Sequence, residues 1–109
     1  MAELTREEYL SNLHPGTHLR EDYLPDLGWT PYRLAKEIGI TQSHLAQILR
    51  NEKGITANLA LRLGRLFNQS PQMWLRMQGD FDLEVAKDRF AAEIEKVKPQ
   101  PMQDLDEAA

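Results

Sequence analysis

The strongest constraint on this chain is a run of helix punctuation between Thr30 and Arg50. Thr30-Pro31 is an N-cap followed by proline at the first helical position, where a missing N–H has no partner to lose. Gly39 then supplies a left-handed stop, and Thr41 caps a second helix from Gln42 to about Arg50. The inner face of the first helix is Leu34, Ala35 and Ile38; that of the second is Leu45, Ile48 and Leu49. Two short helices joined so tightly must cross steeply. That crossing needs a small residue at the contact, which Ala35 provides. It also needs a positive φ in the turn, which Gly39 accepts without strain, and Ile40 helps fill the wedge. The spacing is that of a helix-turn-helix unit.

The remaining chain supports an all-α bundle of five helices. A capping box, Thr5-Arg6-Glu7-Glu8, precedes Tyr9, Leu10 and Leu13 and permits a short leading helix. His14-Pro15-Gly16 interrupts the chain. The first core helix is expected from Thr17 to Leu27, with Leu19, Tyr23, Leu24 and Leu27 on one face, Pro25 forcing a kink or tight final turn, and Gly28 ending it. Thr56 caps a fourth helix bearing Leu59, Ala60, Leu63, Leu66 and Phe67, and Asn68 ends it. Ser70-Pro71 repeats the cap-plus-proline signal and opens a fifth helix through Trp74, continuing past Gly79 to about Val97. No period-2 strand pattern stands out. These marks divide the chain into an acidic N-terminal arm (1–13), a helix-turn-helix domain (14–78), a C-terminal helix (79–97) and a disordered acidic tail (98–109).

The net charge of −4 argues against nucleic acid until its distribution is read. Residues 1–30 hold six acids and two bases, and residues 79–109 hold nine acids and four bases. Residues 31–78 hold seven bases (Arg33, Lys36, Arg50, Lys53, Arg62, Arg65, Arg76) against Glu37 and Glu52 alone. A basic centre between acidic flanks can neutralise phosphates. The flanks suit a basic protein partner or serve solubility. The absence of cysteine excludes disulfides, a thiolate zinc site and a thiol nucleophile. With no long apolar run and no signal-peptide core, the expectation is a cytoplasmic protein without a membrane segment. No catalytic grouping or phosphate loop is visible, so no enzyme and no cofactor is expected.

What stays outside on the second helix of the pair is informative. Thr41, Gln42, Ser43, His44, Gln47 and Arg50 all hydrogen-bond and none is acidic. The first turn of a recognition helix enters the major groove, where Gln pairs with adenine and Arg with guanine. Gln42, Ser43, His44 and Gln47 are therefore candidate base readers, and Arg50 either reads a base or holds phosphate. Tyr32, Arg33, Lys36, Asn51 and Lys53 are candidate phosphate contacts, which set register rather than sequence.

The motif resembles those of Cro and phage C1 repressors, whose recognition helix often opens with Gln-Ser, as Gln42-Ser43 does here. The resemblance implies a lambda-repressor-like bundle. Pro31 stands where those repressors usually carry Gln, which removes one contact and leaves Tyr32 and Arg33 to compensate. A narrower resemblance, over about residues 14 to 86, is to the HigA-type antitoxins. It is carried by His14-Pro15-Gly16, Leu19-Arg20-Glu21, Leu27-Gly28, Gly54-Ile55-Thr56-Ala57, Leu61-Arg62-Leu63, Ser70-Pro71, Trp74-Leu75 and Phe81-Asp82-Leu83. Phe81 replaces the family's usual Tyr, and Gly79-Asp80 is expected to weaken the last helix. The resemblance implies a homodimer that binds double-stranded operator DNA, represses its own operon and neutralises a HigB-type toxin, an mRNA endonuclease. A repressor without a toxin, and an interaction module without DNA binding, are the alternatives.

Two further features have competing explanations. His14 and His18 have the four-residue spacing of a helical metal pair, but His14 precedes Pro15 and so lies off the helix; no metal is expected. Trp74, Phe81 and Leu83, with Met73 and Met77, form an apolar stripe that serves either the core or a dimer interface.

Overall fold

A computed structural model describes residues 3–102; the last seven residues of the expected tail lie outside the described residues. Six helices and no strand are present among the described residues. Helix α1 spans Arg6–Leu13. Helix α2 is built of three contiguous parts, Pro15–His18, a π-helical Leu19–Tyr23 and Leu24–Leu27. Then come α3 (Pro31–Ile38), α4 (Gln42–Leu49), α5 (Ala57–Phe67) and the long α6 (Pro71–Glu95). No helix is long and apolar enough to cross a membrane among the described residues.

The caps act largely as their chemistry dictates. Thr5 and Glu8 form both bonds of a capping box, and Thr30, Thr41 and Thr56 each accept an N–H from the third residue on. Gly28, Gly39 and Asn68 end their helices in the left-handed conformation. Ser70 departs from expectation. Its hydroxyl meets the Gln72 side chain at 2.7 Å and makes no cap bond, so Pro71 alone marks that start. Helix α2 also starts earlier than expected, at Pro15. The His14 ring caps it, with Nδ1 accepting the Gly16 N–H at 2.9 Å. The π turn lies just ahead of Pro25, widening the helix where the proline ring would press on the preceding turn.

One core gathers the apolar faces. Leu19 and Leu24 of α2 meet Leu34, Ala35 and Ile38 of α3, Leu45, Ile48 and Leu49 of α4, and Leu59, Ala60 and Leu63 of α5. Trp74 of α6 is fully buried and packs on Tyr23 and Phe67, at ring-centroid distances of 5.2 and 6.4 Å. It presents no surface to a second copy, which removes it from the candidate dimer interface. Phe81 is half-buried and sets its ring at 78° to His14, 4.7 Å away. Leu83 is 62% exposed.

Helix α6 runs unbroken through Gly79-Asp80. Its only irregular backbone is at Phe90. Beyond Ala86 the helix is exposed on all sides. Helix α1 buries no residue of its own. It is tied to α6 by Arg6, which reaches Glu84 at 2.8 Å and Asp88 at 2.9 Å and holds both carboxyls below their usual range.

A methyl group added to Gly16 would fall 1.9 Å from the Ile48 carbonyl oxygen, a backbone atom unable to swing aside. Gly16→Ala should therefore lower unfolding free energy by about 3 kcal/mol in urea titration. The buried His14 ring, capped onto the Gly16 N–H, has its pKa lowered from the ordinary 6.5, with burial as the main cause. Asp82 and the Lys53 carbonyl oppose that shift, and Arg20 adds to it. Below 6.5 the unfolded chain takes up a proton that the folded chain resists. Stability should thus be complete above that pH and fall below it, and His14→Asn, which keeps a capping oxygen, should flatten the loss between about pH 8 and about pH 5.5.

Candidate nucleic-acid interface

The α3–α4 pair is held from several sides. Ala35 and Leu34 are sealed at the crossing, Gly39 turns the chain at φ 72°, and the Ile40 N–H bonds back to the Ala35 carbonyl at 3.0 Å. Arg62 of α5 donates one guanidinium nitrogen to the carbonyls of Ile38 (2.8 Å) and Gly39 (3.1 Å). A cation thus sits at the negative end of α3. Arg20 of α2 does the same for α4 by donating to the Leu49 carbonyl. Neither role was visible in sequence, because each arginine belongs to a helix other than the one it caps.

At about 100° per residue, burying Leu45, Ile48 and Leu49 leaves Gln42, Ser43, Gln47 and Arg50 on one outer arc of about 140°. Gln42 and Ser43 are exposed, whereas His44 and Gln47 are half-buried. The Thr41 hydroxyl accepts the His44 N–H at 3.0 Å, so its oxygen is committed to the cap. Arg50 lies exposed but engaged, with two nitrogens each 3.1 Å from Glu52 carboxylate oxygens; Glu52 is held below the usual carboxylate range by this pairing.

On α3, Tyr32 and Lys36 are exposed. Arg33 lies over the Trp29 ring, 4.3 Å from its centroid, with Glu37 at 3.8 Å. The stacking partner Trp29 was not singled out from sequence; aromatic and cation four apart across a cap carry no distinctive pattern. Lys53 is exposed in the loop after α4.

Asn51 is a correction. It adopts the left-handed conformation at φ 62°, and its amide turns inward to Thr17 (3.0 Å) and Ser11 (3.3 Å). The donors expected to hold a phosphate are thereby spent inside the protein. The same loop is pinned from the other side, where the Ile55 N–H donates to buried Gln78 at 2.8 Å, whose amide in turn reaches Asp82 at 3.0 Å.

Tightly joined helix pair, sealed contact and polar outer arc define a helix-turn-helix protein. The helix-turn-helix family model matches residues 19–74, half of the sequence, and the chain belongs to that family. Among curated relatives it is similar to virulence-associated protein I of Dichelobacter nodosus, at 44% identity over 75 residues, covering 69% of each chain. Among solved structures it is similar to the Pseudomonas aeruginosa antitoxin HigA with the higBA promoter, at 31% identity and TM-score 0.76, covering 81% of this chain and 97% of that one. It is also similar to the antitoxin GraA in complex with its operator, at 34% identity and TM-score 0.74, covering 81% and 90%. Within the family its likeness is to the HigA-type antitoxins.

Because Arg62 is the external donor to the last carbonyls of α3, Arg62→Met should cost about 1–2 kcal/mol in denaturant unfolding while leaving helix content unchanged by circular dichroism.

Proposed function

We propose that this chain is an antitoxin that binds operator DNA as a homodimer, represses its own operon and neutralises a HigB-type toxin. The observation that carries the DNA half is the outer arc of α4, where four hydrogen-bonding side chains and no acid face away from a sealed core. Gln42, Ser43, His44 and Gln47 read bases. Arg50, Tyr32, Arg33, Lys36 and Lys53 contact phosphate or, for Arg50, a base. Two copies present their recognition helices about 34 Å apart on a palindrome. The chain functions in the order read from sequence: an acidic arm (1–13), the DNA-binding domain (14–78), a further helix (79–97) and an acidic tail (98–109). Phe81 and Leu83 belong to the dimer contact. The toxin half draws its support from the likeness to HigA and from two acidic flanks fit for a basic partner.

Binding to the chain's own promoter should weaken steeply between about 50 and about 200 mM salt, as phosphate contacts require. Lys53→Ala should weaken all DNA binding alike and reduce the salt slope by about one. Gln42→Ala with Gln47→Ala should abolish preference for the promoter over unrelated DNA; a preference that survives both changes removes these residues as base readers. Co-expression with the product of an adjacent gene for a small basic protein should restore growth that this product alone arrests. Absence of rescue counts against the toxin half only.

A further inference from the structure

Among the residues that fix the C-terminal end of α4, Ser11, Gly16 and Thr17 lie outside the part of the chain matched by the family model, which begins at residue 19. Three side chains form a small polar cluster there. The Asn51 amide donates to the Thr17 hydroxyl at 3.0 Å and to the Ser11 hydroxyl at 3.3 Å, and the two hydroxyls lie 3.3 Å apart. Thr17 is buried, and Ser11 and Asn51 are half-buried. Asn51 follows directly on the last turn of α4, where its own N–H bonds to the Ile48 carbonyl at 3.0 Å. Beside the cluster, Gly16 lets the α2 backbone touch that same carbonyl.

The geometry points to Ser11, Thr17 and Asn51 as positioning residues for the recognition helix, which makes the N-terminal helix α1 a determinant of operator specificity. The inference rests on the DNA-binding reading above. Its physical basis is the differing tolerance of the two kinds of contact. Hydrogen bonds to base edges weaken steeply with small errors of distance and angle, whereas a flexible lysine or arginine follows a phosphate through such errors. Loosening the far end of α4 therefore degrades base reading and spares non-specific binding. Helix α1 suits this role because its other attachment, Arg6 on Glu84 and Asp88, anchors it to the long helix α6.

The test measures affinity of the full chain for its own promoter and for unrelated DNA at one salt concentration. The variants are Ser11→Ala, Thr17→Val, Asn51→Gly and the double variant Asn51→Gly with Thr17→Val. Glycine keeps the left-handed backbone at position 51 without strain, and valine keeps the shape of threonine. Each single variant should lose about tenfold in affinity for the promoter and less than about twofold for unrelated DNA, and the double variant should lose no more than the worse single one. Thr17→Ser, which retains the hydroxyl, should restore the preference. Circular dichroism and thermal unfolding confirm that each variant is folded at the temperature of the measurement; Ser11→Ala, on the surface helix, keeps the test available where a buried variant is not. If Asn51→Gly weakens both DNAs alike while Ser11→Ala and Thr17→Val change neither, Asn51 is a phosphate contact and the inference is overturned. If the unvaried chain shows no preference for its promoter, the reading of function fails instead.

Discussion

The carbonyl of Ile48 and the α-carbon of Gly16 meet with no room for a side chain between them, and much of the structure depends on that contact. It brings the last turn of the recognition helix onto the backbone of α2. Once there, Arg20 can cap Leu49, and Asn51 can reach Thr17 and Ser11. Each of these is a polar contact with a strict distance requirement. Both would lengthen if the two helices stood a methyl group further apart.

Electrostatics at the interface is local rather than global. The chain is acidic overall, yet each acid in the central block is paired with a neighbouring base, Glu37 with Arg33 and Glu52 with Arg50. These exposed pairs are weak in water and exchange readily for phosphate. Trp29 beneath Arg33 holds the guanidinium in place by its ring face rather than by a second charge. In the C-terminal flank, Glu84 and Asp88 are engaged by Arg6 from the opposite end of the chain.

Much of the fold was legible because helix punctuation is chemistry local to a few residues. Thr5, Thr30, Thr41 and Thr56 cap wherever the following turn is helical, and Gly28, Gly39 and Asn68 stop helices by their backbone alone. Where a side chain had a choice of partner, local reasoning lost its hold. Ser70 turned to Gln72, and Asn51 turned from solvent to Thr17. His14 appeared as a chain break, although its ring is itself the cap. The apolar stripe of α6 carried no sign of which members would be covered, and only packing separated buried Trp74 from exposed Leu83.

By itself the sequence determined the helices and, except at the start of α2, where they begin, together with the inner faces of α3 and α4 and the polar outer arc between Gln42 and Arg50. Those properties depend on neighbours within one or two turns. Tertiary structure alone decided what holds the arc in position: Arg62 and Arg20 capping helices not their own, Gln78 bonding the loop after α4, and Asn51 facing Ser11 across 40 residues. Such contacts join groups far apart in the chain, where spacing carries no signal. Whether a donor finds water or a buried partner is settled only when the helices close on one another.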